Sequence, residues 1–387
     1  MAKGKKAVKL LTDEEKSGTW VGRVWRPGTG PSVVTLRDGN VVDITSRRAP
    51  TVRDVLELDD PVAHVRGSEG EVTGSLDAAC GASERKDSLS WLAPCDLQAV
   101  KACGVTFARS MVERVIEEQA ACDSAKAEAV RSRVRKIVGS TLNEIVAGSE
   151  KAAQVKQELI AEGLWSQYLE VGIGPDAEVF SKAQPLSSVG ACAEIGLNPV
   201  STWNNPEPEI VLAVNSKGTC HGATLGNDVN LRDVEGRSAL LLPMAKDNNA
   251  SCAVGPMIRL FDETYSMDDV RSAELNLRVE GEDGFVLEGR SLMSEISRDP
   301  LDLIAQVIGR HHQYPDGFVL FLGTLFAPIE DRDEPGQGFT HKLGDQVTIS
   351  SHGLGVLQNT VRLSTECPPW DFGLADLMRN LAARSLI

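Results

Sequence analysis

Two carboxylates, Glu207 and Glu209, flank Pro208 immediately before the apolar run Ile210-Val211-Leu212-Ala213-Val214. Such a run reads as a strand. Side chains at i and i+2 of a strand share a face, so the two carboxylates sit side by side and repel each other. A cation, or solvent at a strand end, has to offset that repulsion. Proline gives no N–H to a ladder, which places the pair at a strand start. A third carboxylate, Asp228, ends a second strand-like run, His221-Gly222-Ala223-Thr224-Leu225-Gly226-Asn227-Asp228. Three hard oxygen ligands from two strands suit Mg²⁺ or a similar ion, with water or substrate in the remaining positions. The E-x-E pattern is common, however, and by itself reads more simply as an exposed acidic strand end.

The rest of the chain predicts an α+β fold, mostly strand with one helical insertion. Two β-branched runs around Asp38-Gly39 signal a hairpin. A polar, Gly-rich stretch follows from about Arg66 to Asp87, so residues 1–95 read as a small β-rich N-terminal domain and 96–387 as a larger catalytic one. Helical character is expected over about 109–163. Ser110 and Glu113 match a capping box, further segments run over 124–138 and 150–162, and Gly163 is a plausible stop. From Tyr168 onward mostly short strands and turns are expected, including 207–215, 274–279, 317–323 and 345–351. The longest apolar run, Gly317 to Ile329, is too short to span a bilayer and reads as a buried strand pair.

Several functions are disfavoured. A net charge of −15 argues against a nucleic-acid partner, which needs clustered Lys and Arg. Neither G-x-G-x-x-G nor a Walker P-loop occurs, so a nucleotide cofactor is unsupported. The basic N-terminus has no apolar stretch behind it, so it is read as a solvated tail rather than a secretory signal. The eight cysteines include no C-x-x-C pair. Scattered and read as unpaired, they suit a reducing cytoplasm. The adjacent His311 and His312, and His341, are read as structural or surface residues, and the six tryptophans as core or interface.

Around the carboxylates, a longer order of motifs emerges. Glu207-Pro208-Glu209 is followed about twenty residues later by Asn227-Asp228-Val229-Asn230-Leu231-Arg232-Asp233, then by a segment from Lys246 to Gly255-Pro256. Gly104-Val105-Thr106-Phe107-Ala108, Phe180-Ser181-Lys182, Gly323-Thr324 and Leu343-Gly344-Asp345 fall around these in order. This order, over roughly 95–362, resembles the fumarylacetoacetate hydrolase superfamily. The resemblance implies a mixed β-sheet roll, a metal held by Glu207, Glu209 and Asp228, and a homodimer or higher homo-oligomer. Mg²⁺ is the implied ion, with Mn²⁺ or Ca²⁺ as substitutes.

The superfamily's C–C bond hydrolases carry a His–Glu dyad that activates water. Here the His position is Ser110 and the Glu position is Glu113. A serine cannot act as the base toward water at neutral pH. The dyad is broken and its carboxylate half kept, which suits proton abstraction beside a metal-bound 2-oxo acid. The runs 165–171, 204–209, 225–242, 246–252, 312–318 and 335–342 also resemble the branch of 2-keto-3-deoxy sugar-acid dehydratases. That branch implies loss of a C3 proton and the C4 hydroxyl from a 2-keto-3-deoxypentonate. Glu113 is then the candidate base and Lys246 the candidate electrostatic partner of the enolate. Lys182 and Arg232 supply positive charge to the substrate, and Ser110 and Thr324 hydrogen bonds. The rivals are an acylpyruvate hydrolase, an oxaloacetate-type decarboxylase and a non-catalytic binding protein of the same fold.

Overall fold

The computed structural model describes residues 8–80, 87–107, 145–326, 330–333 and 338–387. The candidates Ser110 and Glu113, with the helical segment expected over 124–138, lie outside the described residues. The strands, in chain order, are β1 (Trp20–Arg26), β2 (Gly30–Arg37), β3 (Asn40–Asp43), β4 (Glu71–Ser75), β5 (Ser90–Leu92), β6 (Ala99–Gly104), β7 (Glu178–Ala183) and β8 (Glu194–Leu197). They continue with β9 (Pro208–Val214), β10 (Cys220–Asp228), β11 (Cys252–Leu260), β12 (Glu274–Glu280), β13 (Val286–Leu292), β14 (Phe318–Phe321), β15 (Gln346–Ser351) and β16 (Gly355–Leu363). Between them run α1 (Val52–Glu57), α2 (Pro61–Gly67), α3 (Glu150–Ala161), α4 (Gln167–Ile173), α5 (Arg232–Glu235), α6 (Leu242–Lys246), α7 (Met267–Ser272) and α8 (Pro300–Val307); α9 (Leu374–Ala383) ends the chain.

Among the described residues, two sheets carry this α+β fold. The larger runs β4-β3-β2-β1-β11-β10-β9-β14-β6-β7, with β5 also paired to β1; the smaller runs β13-β12-β15-β16-β8. All of β9 and β11 is buried, and β10 is buried from Gly222 onward. Strands this apolar need cover on both faces. One cover is α1 and α2, whose Val52, Val55, Leu56 and Val65 pack on Val21, Val33, Ile258 and Leu260. The other is the smaller sheet, whose Leu275, Leu277, Val347, Ile349 and Leu357 join Leu212, Leu225 and Met257 in the largest core. Because β1 pairs antiparallel with β11, hydrogen bonding continues from residues 20–26 into the middle of the chain.

The hairpin signal at Asp38-Gly39 is a real turn: β2 pairs with β3, and both turn residues have positive φ, 50° and 76°. Such turns match the twist of the flanking strands. The helix expected over 150–162 spans 150–161 and stops before Gly163, which has φ 67°.

Two expectations need correction. Among the described residues, the run from Gly317 forms one strand, β14, rather than a pair. The Leu322 N–H still donates to the Ile210 carbonyl at 3.0 Å, and the chain turns away at Gly323, whose φ is 88°. The stretch after Tyr168 is mostly strands and turns, with helices among them at residues 167–173, 300–307 and 374–383. The cysteines are not all unpaired, since Cys80 and Cys192 form a disulfide. The pair lies 112 residues apart in sequence, and only the fold brings the two Cα atoms to 5.2 Å.

Candidate active site

The site forms where β9 and β10 share an edge of their ladder. Antiparallel register places Gly226 opposite Glu209 and Asn227 opposite Pro208. One step further, the Asp228 N–H donates to the Glu207 carbonyl at 3.0 Å. Register therefore brings Glu207, Glu209 and Asp228 together, with one oxygen of each within 4.8 Å of the others. All three are largely withdrawn from solvent, Glu209 and Asp228 almost completely.

Each carboxylate is held separately. Glu209 accepts the Gly323 N–H at 2.6 Å. That donor is aimed by the positive φ of Gly323, and a Cβ there would lie 2.1 Å from the Thr106 hydroxyl. Thr106 in turn donates to the Leu322 carbonyl at 2.7 Å, fixing the loop after β6 against the end of β14. Val105 in that loop lines the pocket with φ 53°, an uncommon conformation for a β-branched residue. The Asn230 amide bridges two acids, donating to Glu207 at 3.1 Å and Glu235 at 2.7 Å.

Two lysines answer the negative charge. The Lys246 ammonium, at the end of α6, lies 2.5 Å from Glu207 and 3.2 Å from Asp228. The Lys182 ammonium on β7 lies 2.7 Å from Asp228, an ion-pair distance, and donates to the Val229 and Lys246 carbonyls at 3.1 and 2.5 Å. Burial pushes Asp228 up, but the two lysines outweigh it and hold the carboxyl below its ordinary value. For Glu207 burial and the charges of Asp228 and Glu235 prevail over Lys246, and its carboxyl is raised. Glu209 is raised furthest, by burial and then by Asp228 and Glu207. Burial opposes charge on Lys246, while Asp228 and Glu207 more than restore it.

A cavity of about 210 Å³ opens onto this cluster. Its wall includes Glu207, Glu209, Asp228, Arg232, Lys246 and Thr324 from the sequence-derived set. Lys182 does not line it: fully buried, it supports Asp228 from beneath. The Thr324 hydroxyl accepts the Phe326 N–H at 3.1 Å. The cavity wall also contains residues that sequence reading passed over: Glu178, Glu235, Tyr168, Gln167 and Asn205. Glu235 had a signal, since it lies three positions after Arg232 on the same short helix. Asn205 lay within the resembling run 204–209, whereas Glu178 had no signal until β7 met the segment before β9. His311 and His312 are exposed and not part of this wall, while His341 is buried with its Nδ1 3.2 Å from Asp345.

The donor set fits a hard divalent cation. Three carboxylates converge, two of them raised by burial and mutual repulsion, so the cluster favours added positive charge. The Asn205 side-chain oxygen is another hard donor on the cavity wall, with no hydrogen-bond partner among the described residues.

Residues 205–362 match the fumarylacetoacetate hydrolase C-terminal domain. A probable 2-keto-3-deoxyxylonate dehydratase of Haloferax volcanii is 31% identical over 194 residues, 50% of this chain and 63% of that protein. A 2-dehydro-3-deoxy-D-arabinonate dehydratase of Saccharolobus solfataricus is 32% identical over 179 residues, 46% of this chain and 56% of that protein. The matched segments thus span less than two thirds of these curated relatives. A solved structure of 2-keto-3-deoxy-D-arabinonate dehydratase complexed with magnesium and 2,5-dioxopentanoate shares the fold. Its TM-score is 0.62 at 20% identity, covering 89% of this chain and 99% of that one. Residues 205–362 are thus similar to the fumarylacetoacetate hydrolase C-terminal domain, and the chain shares its fold with the solved arabinonate dehydratase.

Proposed function

We propose that this protein is a hydro-lyase that removes water from a 2-keto-3-deoxy sugar acid, taking 2-keto-3-deoxy-D-xylonate or D-arabinonate to 2-oxoglutarate semialdehyde. The observation that carries the reading is one small cavity in which three converging carboxylates face Arg232, Lys246 and Thr324. The two curated dehydratases that match the chain support the substrate class.

Glu207, Glu209 and Asp228 would hold Mg²⁺, and a bound divalent ion acidifies the C3 protons of a chelated 2-oxo acid by stabilising enolate charge. The chain's own groups do the rest. Arg232 offers a planar fork of donors to the substrate carboxylate. Lys246 keeps its proton and stands beside the carboxylate cluster, where it stabilises negative charge. Lys182 keeps Asp228 ionised and serves the substrate only through it. A base takes one C3 proton, and the C4 hydroxyl leaves with a proton as water; the resulting 5-hydroxy-2-oxo-3-enoate then tautomerises, losing a C5 proton and regaining one at C3 to give the enol, which ketonises by protonation at C4 to the semialdehyde. Glu113 is the proposed base; Glu178 and Glu235 are the carboxylates that the described cavity wall offers for the same task. Ser110 and Thr324 would hydrogen-bond substrate oxygens. A cytoplasmic homo-oligomer belongs to the same proposal. Among the described residues no helix is long and apolar enough to cross a membrane.

The test is turnover. Purified protein with Mg²⁺ is offered 2-keto-3-deoxypentonates of both C4 configurations, acylpyruvates and oxaloacetate, with products separated. Semialdehyde from a deoxy acid is expected. Acylpyruvate cleavage without dehydration would replace the reading with C–C hydrolysis, and pyruvate from oxaloacetate would replace it with decarboxylation.

A further inference from the structure

We propose that Trp203 is a positioning residue that orients Arg232 for the substrate anion, and so helps set the preference of the pocket for 2-oxo acids. This rests on the reading of the cavity as a 2-oxo acid site. Trp203 is not on the cavity wall and acts through Arg232.

The Arg232 guanidinium carbon lies 4.7 Å from the centre of the Trp203 ring. An indole face attracts a cation through its quadrupole, and a stacked guanidinium keeps its N–H edges free of the ring. Trp203 is 40% exposed, which would make the ring a weakly held surface side chain unless something anchored it. It is anchored on two sides. Its indole N–H donates to the Phe339 carbonyl at 3.0 Å. Its own carbonyl accepts the Asp233 N–H at 3.1 Å, and the Asp233 carboxylate accepts the Ser201 hydroxyl at 2.7 Å and the Thr202 N–H at 2.9 Å. The turn that carries Trp203 is thereby clamped onto the helix that begins with Arg232.

The Phe339 anchor is itself tied to the same turn. The Asn204 N–H donates to the Thr340 hydroxyl at 3.2 Å, and the His341 N–H to the Asn204 side chain at 3.3 Å. An exposed tryptophan with its edge and its backbone both fixed presents one face, and Arg232 occupies it.

The experiment measures binding of pyruvate in the presence of Mg²⁺ by calorimetry. Pyruvate carries the C1 carboxylate and C2 carbonyl and cannot dehydrate. Trp203→Leu, Trp203→Phe, Arg232→Ala and the Trp203→Leu/Arg232→Ala double variant are compared with the wild type. Trp203→Leu is expected to weaken binding by about threefold to thirtyfold, the range of exposed to desolvated cation–π contacts. Trp203→Phe keeps a ring face and is expected to restore most of that loss. In the Arg232→Ala background Trp203→Leu is expected to change little. An equal loss in both backgrounds, or wild-type binding by Trp203→Leu, would overturn the proposal. So would wild-type binding by Arg232→Ala, or no pyruvate binding by the wild type, because Arg232 would then have no anion to orient. Failure of the dehydratase reading appears elsewhere: pyruvate binds with this dependence on Trp203 while no deoxy acid is turned over.

Discussion

Asp228 illustrates how a single carboxylate serves two purposes. It belongs to the acidic cluster, and it is the common counter-charge of two buried lysines. Asp228→Asn preserves size and removes that charge. Activity should fall, and stability with it, because Lys182 is fully buried and loses its ionic partner. Breaking a buried pair from one side costs about 3–5 kcal/mol. We therefore expect weaker Mg²⁺ binding by calorimetry together with a clearly lower denaturation midpoint. Unchanged affinity would remove Asp228 from the metal set, and an unchanged midpoint would show that Lys182 finds another partner. Arg232 makes the opposite case, since it is half-buried and faces the cavity. A charge-assisted hydrogen bond is worth about 1.5–3 kcal/mol, so Arg232→Ala should lower kcat/KM for the deoxy acid at least about tenfold. Wild-type kinetics would assign Arg232 to the fold.

At the scale of elements, the decisive feature is the end of β14. The strand delivers Gly323 to the cluster, and its backbone N–H holds Glu209. Two glycines of positive φ separate conformational cost from site cost. Gly39, in the β2–β3 turn, has open space where a Cβ would go, so Gly39→Ala pays only for the left-handed backbone, about 1 kcal/mol. Gly323→Ala carries that term and also drives a Cβ into Thr106, disturbing the loop that closes the cavity. The expected outcome is a larger loss of stability than in Gly39→Ala, with turnover lost only in Gly323→Ala. Denaturant titrations and assays on the two variants check both halves; equal effects would mean that the Gly323 turn has no special bearing on the site.

For the whole molecule, the disulfide is the longest covalent constraint among the described residues. It ties the segment after β4 to the loop before β8, across 112 positions. Cross-links that close long loops stabilise mainly by restricting the unfolded chain, typically by about 2–4 kcal/mol. Dithiothreitol should lower the unfolding midpoint of the wild type and leave Cys80→Ser/Cys192→Ser unmoved, and two further thiols should titrate after reduction. If reductant shifts both proteins alike, the bond contributes nothing particular to stability.

What the sequence determined by itself is local or periodic. The hairpin at Asp38-Gly39 follows from residues that tolerate positive φ, and the end of α3 before Gly163 follows from the same property. The buried strands β9, β10 and β14 are read from apolar runs, and Pro208 marks where β9 begins. Because alternation along a strand is fixed at two residues, Glu207 and Glu209 were legible as a pair on one face. What only tertiary structure decided depends on register and packing between distant segments. The convergence of Asp228 with that pair rests on β9–β10 register. The displacement of Lys182 beneath the cluster, the presence of Glu178 on the cavity wall, the Trp203 platform and the Cys80–Cys192 bond have no local signature. Each depends on which residues the closed sheets bring within a few ångströms, and spacing along the chain does not encode that distance.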